Sequence, residues 1–269
     1  MRSLRLFVFL LMIAFLTTGQ YGQFERPHGQ IKRPNSGLVE IFQCRESWSP
    51  VEMSNIVHWW RADSLVTETS AGSDSVIACT DIIGGEVLSA TLGDTTYPAY
   101  VHGANGIGGQ DALEGDGVDD YLYCDIDNIV SPWSIWIVCT VPADNDATNV
   151  VFSVYSTSRG IFANYGGAYH RWEIKTGVLL CIQNLPAAGT EGLAFLDQSS
   201  DDFYWNGTKQ TNYQTGGDAA IFYVRLFSST KTQPASIKIA ELGIHNGAIS
   251  EADRLALEGY VKSRYGLSW

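Results

Sequence analysis

Short apolar or alternating runs, punctuated by Gly, Asn and Asp, fill most of this chain from Ile56 to His245. The runs are rich in Val, Ile, Tyr, Phe and Trp, and turn residues recur roughly every ten positions. This pattern predicts β-strands over 56–61, 121–124, 134–141, 149–155, 168–174, 178–183, 192–196, 202–205, 221–227 and 236–245. Many short strands at that spacing make a sandwich or a barrel. In "FYWNGTKQT", Asn206-Gly207 stands between two strand-like runs, and both residues tolerate the positive φ of a type I′ hairpin turn. Asn206-Gly207-Thr208 also fits the N-glycosylation pattern, but the hairpin accounts for these residues without a sugar. Helical periodicity appears in one segment, "AISEADRLALEGYVKSRYGLSW". Ser250 is the expected N-cap, with Asp253 at the capping-box position. Ala252, Leu255, Ala256, Gly259 and Tyr260 are the expected apolar face, with Leu257 and Val261 beside it. Lys262 and Arg264 suit the helix C-terminus and Gly266 its stop.

The ends of the chain have a different texture. Arg2 and Arg5 precede an apolar run from Leu6 to Leu16, the layout of a secretory signal peptide over 1–22. The run falls short of the roughly 18 apolar residues of a membrane span. Cleavage is expected near Gly19 to Gly22, and an uncleaved signal anchor is the alternative. Residues 23–52, rich in proline and mixed charge, read as a linker or extended arm, and 53–269 as the domain. The expected location is secreted or periplasmic.

A formal net charge of −12 leaves no basic stripe to neutralise phosphates, which argues against nucleic-acid binding and against docking on anionic lipid. Cys44, Cys79, Cys124, Cys139 and Cys181 contain no C-x-x-C pair, so zinc ribbons and thioredoxin-type redox sites are excluded. An oxidising compartment would allow one or two disulfides, with an odd thiol left over. Cys139, inside the apolar strand "SIWIVCTV", also suits a buried small hydrophobe.

Three blocks in one order carry a family resemblance. "IVHWWRADSL" opens the domain. A middle block follows from "DSVIACTDIIGGEVLSA" to "ALEGDGVDDYLYC", and "IAELGIHNGAISEADRLALEGYVKSRYGL" closes it. Together they resemble the LamG-like jelly-roll domains of the concanavalin A-like lectin/glucanase superfamily, over Ile56 to Leu267. The closing helix is the most specific part. The resemblance implies an all-β jelly-roll sandwich of two antiparallel sheets with one C-terminal helix. Two departures stand out: Cys79 replaces a tryptophan, and Gly115 replaces a buried phenylalanine, so that either the strand there is locally looser or another aromatic fills the gap.

Glu114, Asp116, Asp119 and Asp120 in "ALEGDGVDDYLYC" raise three chemical readings. The spacing superficially matches the E-x-D-x-x-E strand of laminarinase-like glucanases, with Glu114 and Asp116 as the catalytic pair. Gly115 and Gly117 instead suggest a tight turn. An EF-hand loop fails because Gly117 comes too early, although Asp119 and Asp120 are candidate Ca2+ ligands at a loop rim. The third reading is a turn in which Asp116 and Asp119 cap backbone N–H groups. The five histidines are scattered, and there is no nucleophile elbow. Tyr169, Arg171, Trp172 and Trp205 are the candidate ligand-binding residues, since sugar recognition sets aromatic faces against pyranose C–H surfaces beside polar groups. The expected function is a secreted, non-enzymatic module that binds a glycan or a surface protein. The alternative is a structural protein of a phage virion or surface layer, self-assembling through residues 23–50. A divergent glycoside hydrolase is the third reading.

Overall fold

The computed structural model describes residues 48–90, 97–141, 148–153, 160–166, 169–175, 179–181, 186–200, 202–210, 220–227 and 235–269; for the segments between 148 and 181 it describes the backbone alone. Seventeen strands lie in this part: β1 (Ile56–Arg61), β2 (Val66–Glu68), β3 (Val76–Thr80), β4 (Val87–Ser89), β5 (Ala99–Val101), β6 (Ala112–Asp116), β7 (Leu122–Ile129), β8 (Trp133–Thr140), β9 (Thr148–Ser153), β10 (Gly160–Gly166), β11 (Tyr169–Lys175), β12 (Leu179–Cys181), β13 (Glu191–Asp197), β14 (Asp202–Trp205), β15 (Thr208–Lys209), β16 (Ile221–Leu226) and β17 (Ser236–Asn246). One helix, α1 (Glu251–Tyr265), follows them.

The strands form two antiparallel sheets. The smaller runs β15-β14-β13-β8-β17-β6-β5, with β1 beside the C-terminal half of β17. The larger runs β12-β11-β10-β9-β16-β7-β4-β3-β2. Between them lies the main core, where Trp60, Ile137 and Leu242 of the smaller sheet meet Leu122, Val224 and Leu226 of the larger. The smaller sheet is apolar on both faces. Every residue of β8 (WSIWIVCT) is buried, because its second face packs under α1 with Trp59, Trp136, Phe195, Leu257, Val261 and Tyr265. Strands covered on both sides lose the apolar/polar alternation of half-exposed ones.

Glu241 fastens the helix to this sheet. Its buried carboxylate accepts from Trp59 Nε1 at 2.8 Å and Trp136 Nε1 at 3.2 Å on one oxygen, and from Tyr265 Oη at 2.9 Å and Tyr260 Oη at 3.2 Å on the other. Four donors offset part of the loss of water around this carboxyl, which burial still pushes up. The caps form as the sequence predicts: Ser250 Oγ accepts from the Asp253 amide at 3.0 Å, and Gly266 adopts φ 62°. The buried stripe differs from the expected one. Leu255 and Gly259 face solvent, and the stripe runs through Arg254, Leu257, Glu258, Val261 and Tyr265. Arg254 enters it because Glu258 neutralises its guanidinium, which lies 4.4 Å from the Tyr204 ring.

One expectation about "ALEGDGVDD" needs correction. Ala112 to Asp116 is strand β6, not part of a turn, and the turn begins at Gly117 with φ 79°. A Cβ at Gly115 would sit 2.6 Å from Phe227 Cδ1, so the Phe227 ring occupies the volume that the resemblance assigned to a phenylalanine at 115. Asn206 and Gly207 have φ 50° and 73°, as a type I′ turn requires. Asn206 Oδ1 accepts from the Leu193 amide at 2.8 Å, which gives that side chain a structural role. Cys79, Cys124 and Cys139 are buried free thiols, so the expected disulfides do not involve them. Burial pushes the Cys79 thiol up to about 12 and Cys124 up to about 11. Cys44, the segment 1–22 and the arm as far as residue 47 lie outside the described residues, as does the side chain of Cys181. Among the described residues no helix is long and apolar enough to cross a membrane.

Candidate functional site

The larger sheet keeps one face outside the main core. Alternation along β7 sends Leu122, Cys124 and Ile126 inward and turns Tyr121, Tyr123 and Asp125 out. On β16, Val224 and Leu226 point in, while Tyr223 and Arg225 point out. The register sets Arg225 opposite Tyr123 and Tyr223 opposite Asp125. Tyr121 and Tyr123 stack with ring centroids 6.2 Å apart at 13°, and Tyr123 meets Tyr223 at 5.7 Å. The Arg225 guanidinium lies over all three rings, 4.4 Å from Tyr223, 5.3 Å from Tyr123 and 5.8 Å from Tyr121. This is cation–π geometry, and it holds the rings in a fixed platform.

Polar groups border the rings. Tyr123 Oη donates to Asp125 Oδ1. Burial first, then the bond to Asp125 and its charge, push the Tyr123 phenol up to about 12, so it is a neutral donor at pH 7. Burial also raises the Tyr223 phenol. Between Ile129 and Asp125, β7 carries two residues more than β16 does opposite it, and this irregularity exposes Asp127, Asn128 and Phe222 beside the platform. Tyrosines set beside carboxylates, an amide and a guanidinium are the residue types that pack against sugar C–H surfaces and hold the hydroxyls.

The four predicted binding residues do not form one site. Trp205 belongs to the smaller sheet and is only 7% exposed; its ring packs over Gly192, where a Cβ would lie 2.5 Å from Trp205 Cζ2. It fills the core and offers no open stacking face. Tyr169, Arg171 and Trp172 lie on β11 of the larger sheet, and their side chains fall outside the described part of the structure. Backbone pairing carries the row of Arg225 through Ser153 and Gly160 to Lys175. Tyr169 and Arg171 share the parity of Lys175. Trp172 shares that of Ile174, whose row runs through Ile161 and Phe152 to the buried Leu226. Tyr121, Tyr123, Tyr223 and Arg225 were absent from the predicted set. Their sequence signal is the alternation Tyr-Leu-Tyr-Cys-Asp and Tyr-Val-Arg-Leu, polar or aromatic at every second position.

The acidic block is a capped turn. Asp116 Oδ1 accepts from the Val118 amide and Asp120 Oδ2 from the Asp116 amide, each at 2.7 Å, so Asp120 fills the capping role expected of Asp119. Glu114 and Asp116 do share a strand, as an E-x-D pair would, but Asp116 is engaged by its own turn. Ligand atoms of Asp116, Asp119 and Asp120 lie within 4.8 Å of one another. That is an all-oxygen set suited to a hard cation such as Ca2+, which takes about six to eight oxygens, more than three carboxylates supply alone. Burial, followed by the charges of Asp116 and Asp119, raises the Asp120 carboxyl to about 6 despite the Asp116 amide.

No protein-family model matches the sequence, and no curated protein matches it. Solved structures share its fold. The binding domain of Paraclostridial Mosquitocidal Protein 1 superposes with a TM-score of 0.53 at 13% identity, over 76% of this chain and 52% of that one. Trypanosoma rangeli sialidase in complex with 2,3-difluorosialic acid superposes with a TM-score of 0.54 at 7% identity, over 81% of this chain and 34% of the sialidase. The chain thus spans about half of the first structure and a third of the second. At these identities the likeness is one of β-sandwich architecture.

Proposed function

We propose that this chain is a secreted, non-enzymatic LamG-like binding module that takes a carbohydrate on the outer face of its larger sheet. The observation that carries the reading is the platform of Tyr121, Tyr123 and Tyr223 under Arg225, bordered by Asp125, Asp127 and Asn128. Its shape favours an extended glycan laid across strands over a ligand swallowed by a deep pocket. Tyr169 and Arg171, in the same parity set three strands away, are the residues with which a longer chain would be read. The leader-like 1–22 segment supports secretion, and the likeness to the binding domain of a mosquitocidal protein agrees with a binding role.

Screening the protein against a glycan array and a panel of polysaccharides tests the reading. Tyr223→Ala and Arg225→Ala should each weaken binding roughly tenfold, about 1–2 kcal/mol, the loss expected from a ring or guanidinium at the centre of a contact. Binding to no glycan, or binding indifferent to both changes, would refute it. Hydrolysis of a β-glucan that is lost in Glu114→Gln would favour the enzyme instead.

A further inference from the structure

Away from the tyrosine face, an imidazole and two carboxylates converge in the loop joining β3 to β4. His58 of β1 is buried, its ring stacked on Trp60 at 5.2 Å and 18°. Its Nδ1 faces Asp81 Oδ2 at 2.8 Å and Glu86 Oε2 at 3.3 Å. That nitrogen carries at most one proton, so it can serve only one of the two oxygens. Glu86 Oε2 is buried and has no hydrogen-bond partner, although the rest of its side chain reaches solvent. A buried carboxylate oxygen in that state lacks a donor, a deficit that a bound cation would make good.

The surrounding chain holds these atoms in place. Asp81 Oδ1 accepts from the amides of Trp59 at 2.7 Å and Ile83 at 2.9 Å, and Oδ2 accepts from the Gly84 amide at 2.9 Å. One lone pair of Oδ2 is left, directed toward His58. A Cβ at Gly84 would lie 2.0 Å from Glu86 Oε2 and 2.8 Å from Asp81 Oδ2. Gly84 is not among the glycines with positive φ, so the demand for glycine there comes from the oxygens and not from the turn.

We propose that His58 Nδ1, Asp81 Oδ2 and Glu86 Oε2 form a binding site for a divalent transition-metal ion of the zinc type. The three atoms lie within 4.8 Å of one another. Metal bonds of about 2.0–2.2 Å set neighbouring ligands about 2.8–3.6 Å apart between octahedral and tetrahedral angles; His58 Nδ1 lies 2.8 Å from Asp81 Oδ2, at the lower edge of that range, and 3.3 Å from Glu86 Oε2, within it. A nitrogen with two carboxylate oxygens suits zinc better than calcium, which takes oxygens alone. The amides on Asp81 act as the outer layer that orients a metal ligand. The turn at Asp116 to Asp120 lacks both features, having no nitrogen ligand and no orphaned buried oxygen among its acids.

The full chain, stripped with chelator and titrated calorimetrically with zinc chloride at pH 7, should bind one ion at this site. Glu86→Gln should weaken that binding by at least about tenfold, and Asp119→Asn should leave it unchanged. In long-range 1H–15N NMR spectra of the parent protein, zinc should remove the proton from His58 Nδ1 and fix it on Nε2. Absence of stoichiometric binding, undiminished binding in folded Glu86→Gln, or loss on Asp119→Asn would each overturn the site. Should Glu86→Gln not fold, the His58 signals decide: an Nδ1 unmoved by zinc rejects the assignment.

Discussion

Asp120 illustrates how a single carboxyl can be placed against its own charge. It is buried beside Asp116 and Asp119, and its carboxyl rises from the ordinary 3.8 to about 6, burial being the largest cause. The folded chain therefore holds this proton more tightly than the unfolded chain does. The resulting contribution to stability is fully present below about pH 4 and is lost as the pH rises from about 4 to 6. Asp120→Asn keeps an acceptor for the Asp116 amide and removes the charge. In chelator, its thermal midpoint should exceed the parent's at pH 7 by a few degrees, on the order of 1 kcal/mol, and the gap should close at pH 4. A midpoint below the parent's at both pH values would mean that the ionised form is needed in the turn. Gly115 teaches a different lesson at the same scale. The resemblance predicts a ring at that place, and the ring present is Phe227, more than a hundred positions later, which no local pattern in "ALEGDG" reveals.

Elements differ in how openly the sequence announces them. Strands 56–61 and 202–205 are predicted to the residue and seven others to within two residues at each end, because most carry a self-contained run of β-branched or aromatic residues, whereas 121–124 stops five residues short of the end of β7. The seven not predicted include β2, β4, β5 and β15, which have three residues or fewer and form through pairing with neighbours, not through local propensity. For α1, caps were legible and the buried face was not. Leu255 and Leu257 look alike in sequence, yet Leu255 is 52% exposed and Leu257 fully buried, since Glu241, on a distant strand, fixes the helix rotation through Tyr260 and Tyr265. Leu255→Glu should change stability by less than about 0.5 kcal/mol, whereas Leu257→Ala should cost about 2–5 kcal/mol in denaturant unfolding. The reverse order would mean that the helix sits in the rotation first predicted. The tyrosine platform was equally hidden: each strand shows its alternation, but only the β7–β16 register brings Tyr123, Tyr223 and Arg225 together.

At the scale of the whole molecule, the two sheets divide the labour. The smaller is covered twice, by the larger sheet on one face and by α1 on the other, and its strands read as continuous apolar runs. On β7 and β16 the larger shows solvent Asp125, Asp127, Asn128 and Phe222 beside the half-buried tyrosines and Arg225, where substitution touches little of the core. Stability and binding should therefore separate cleanly. Removing residues 247–269 would uncover Trp59, Trp136 and Phe195 and leave Glu241 without its two tyrosine partners. An apolar sheet face of that kind invites association, so the truncated chain should bind a hydrophobic dye and lose its cooperative thermal transition. Tyr223→Ala, by contrast, should keep the parent's transition within a few degrees while losing glycan affinity. If both changes instead lowered stability alike, the tyrosine face would be part of the packing that holds the sandwich together, and the site for a ligand would have to lie elsewhere.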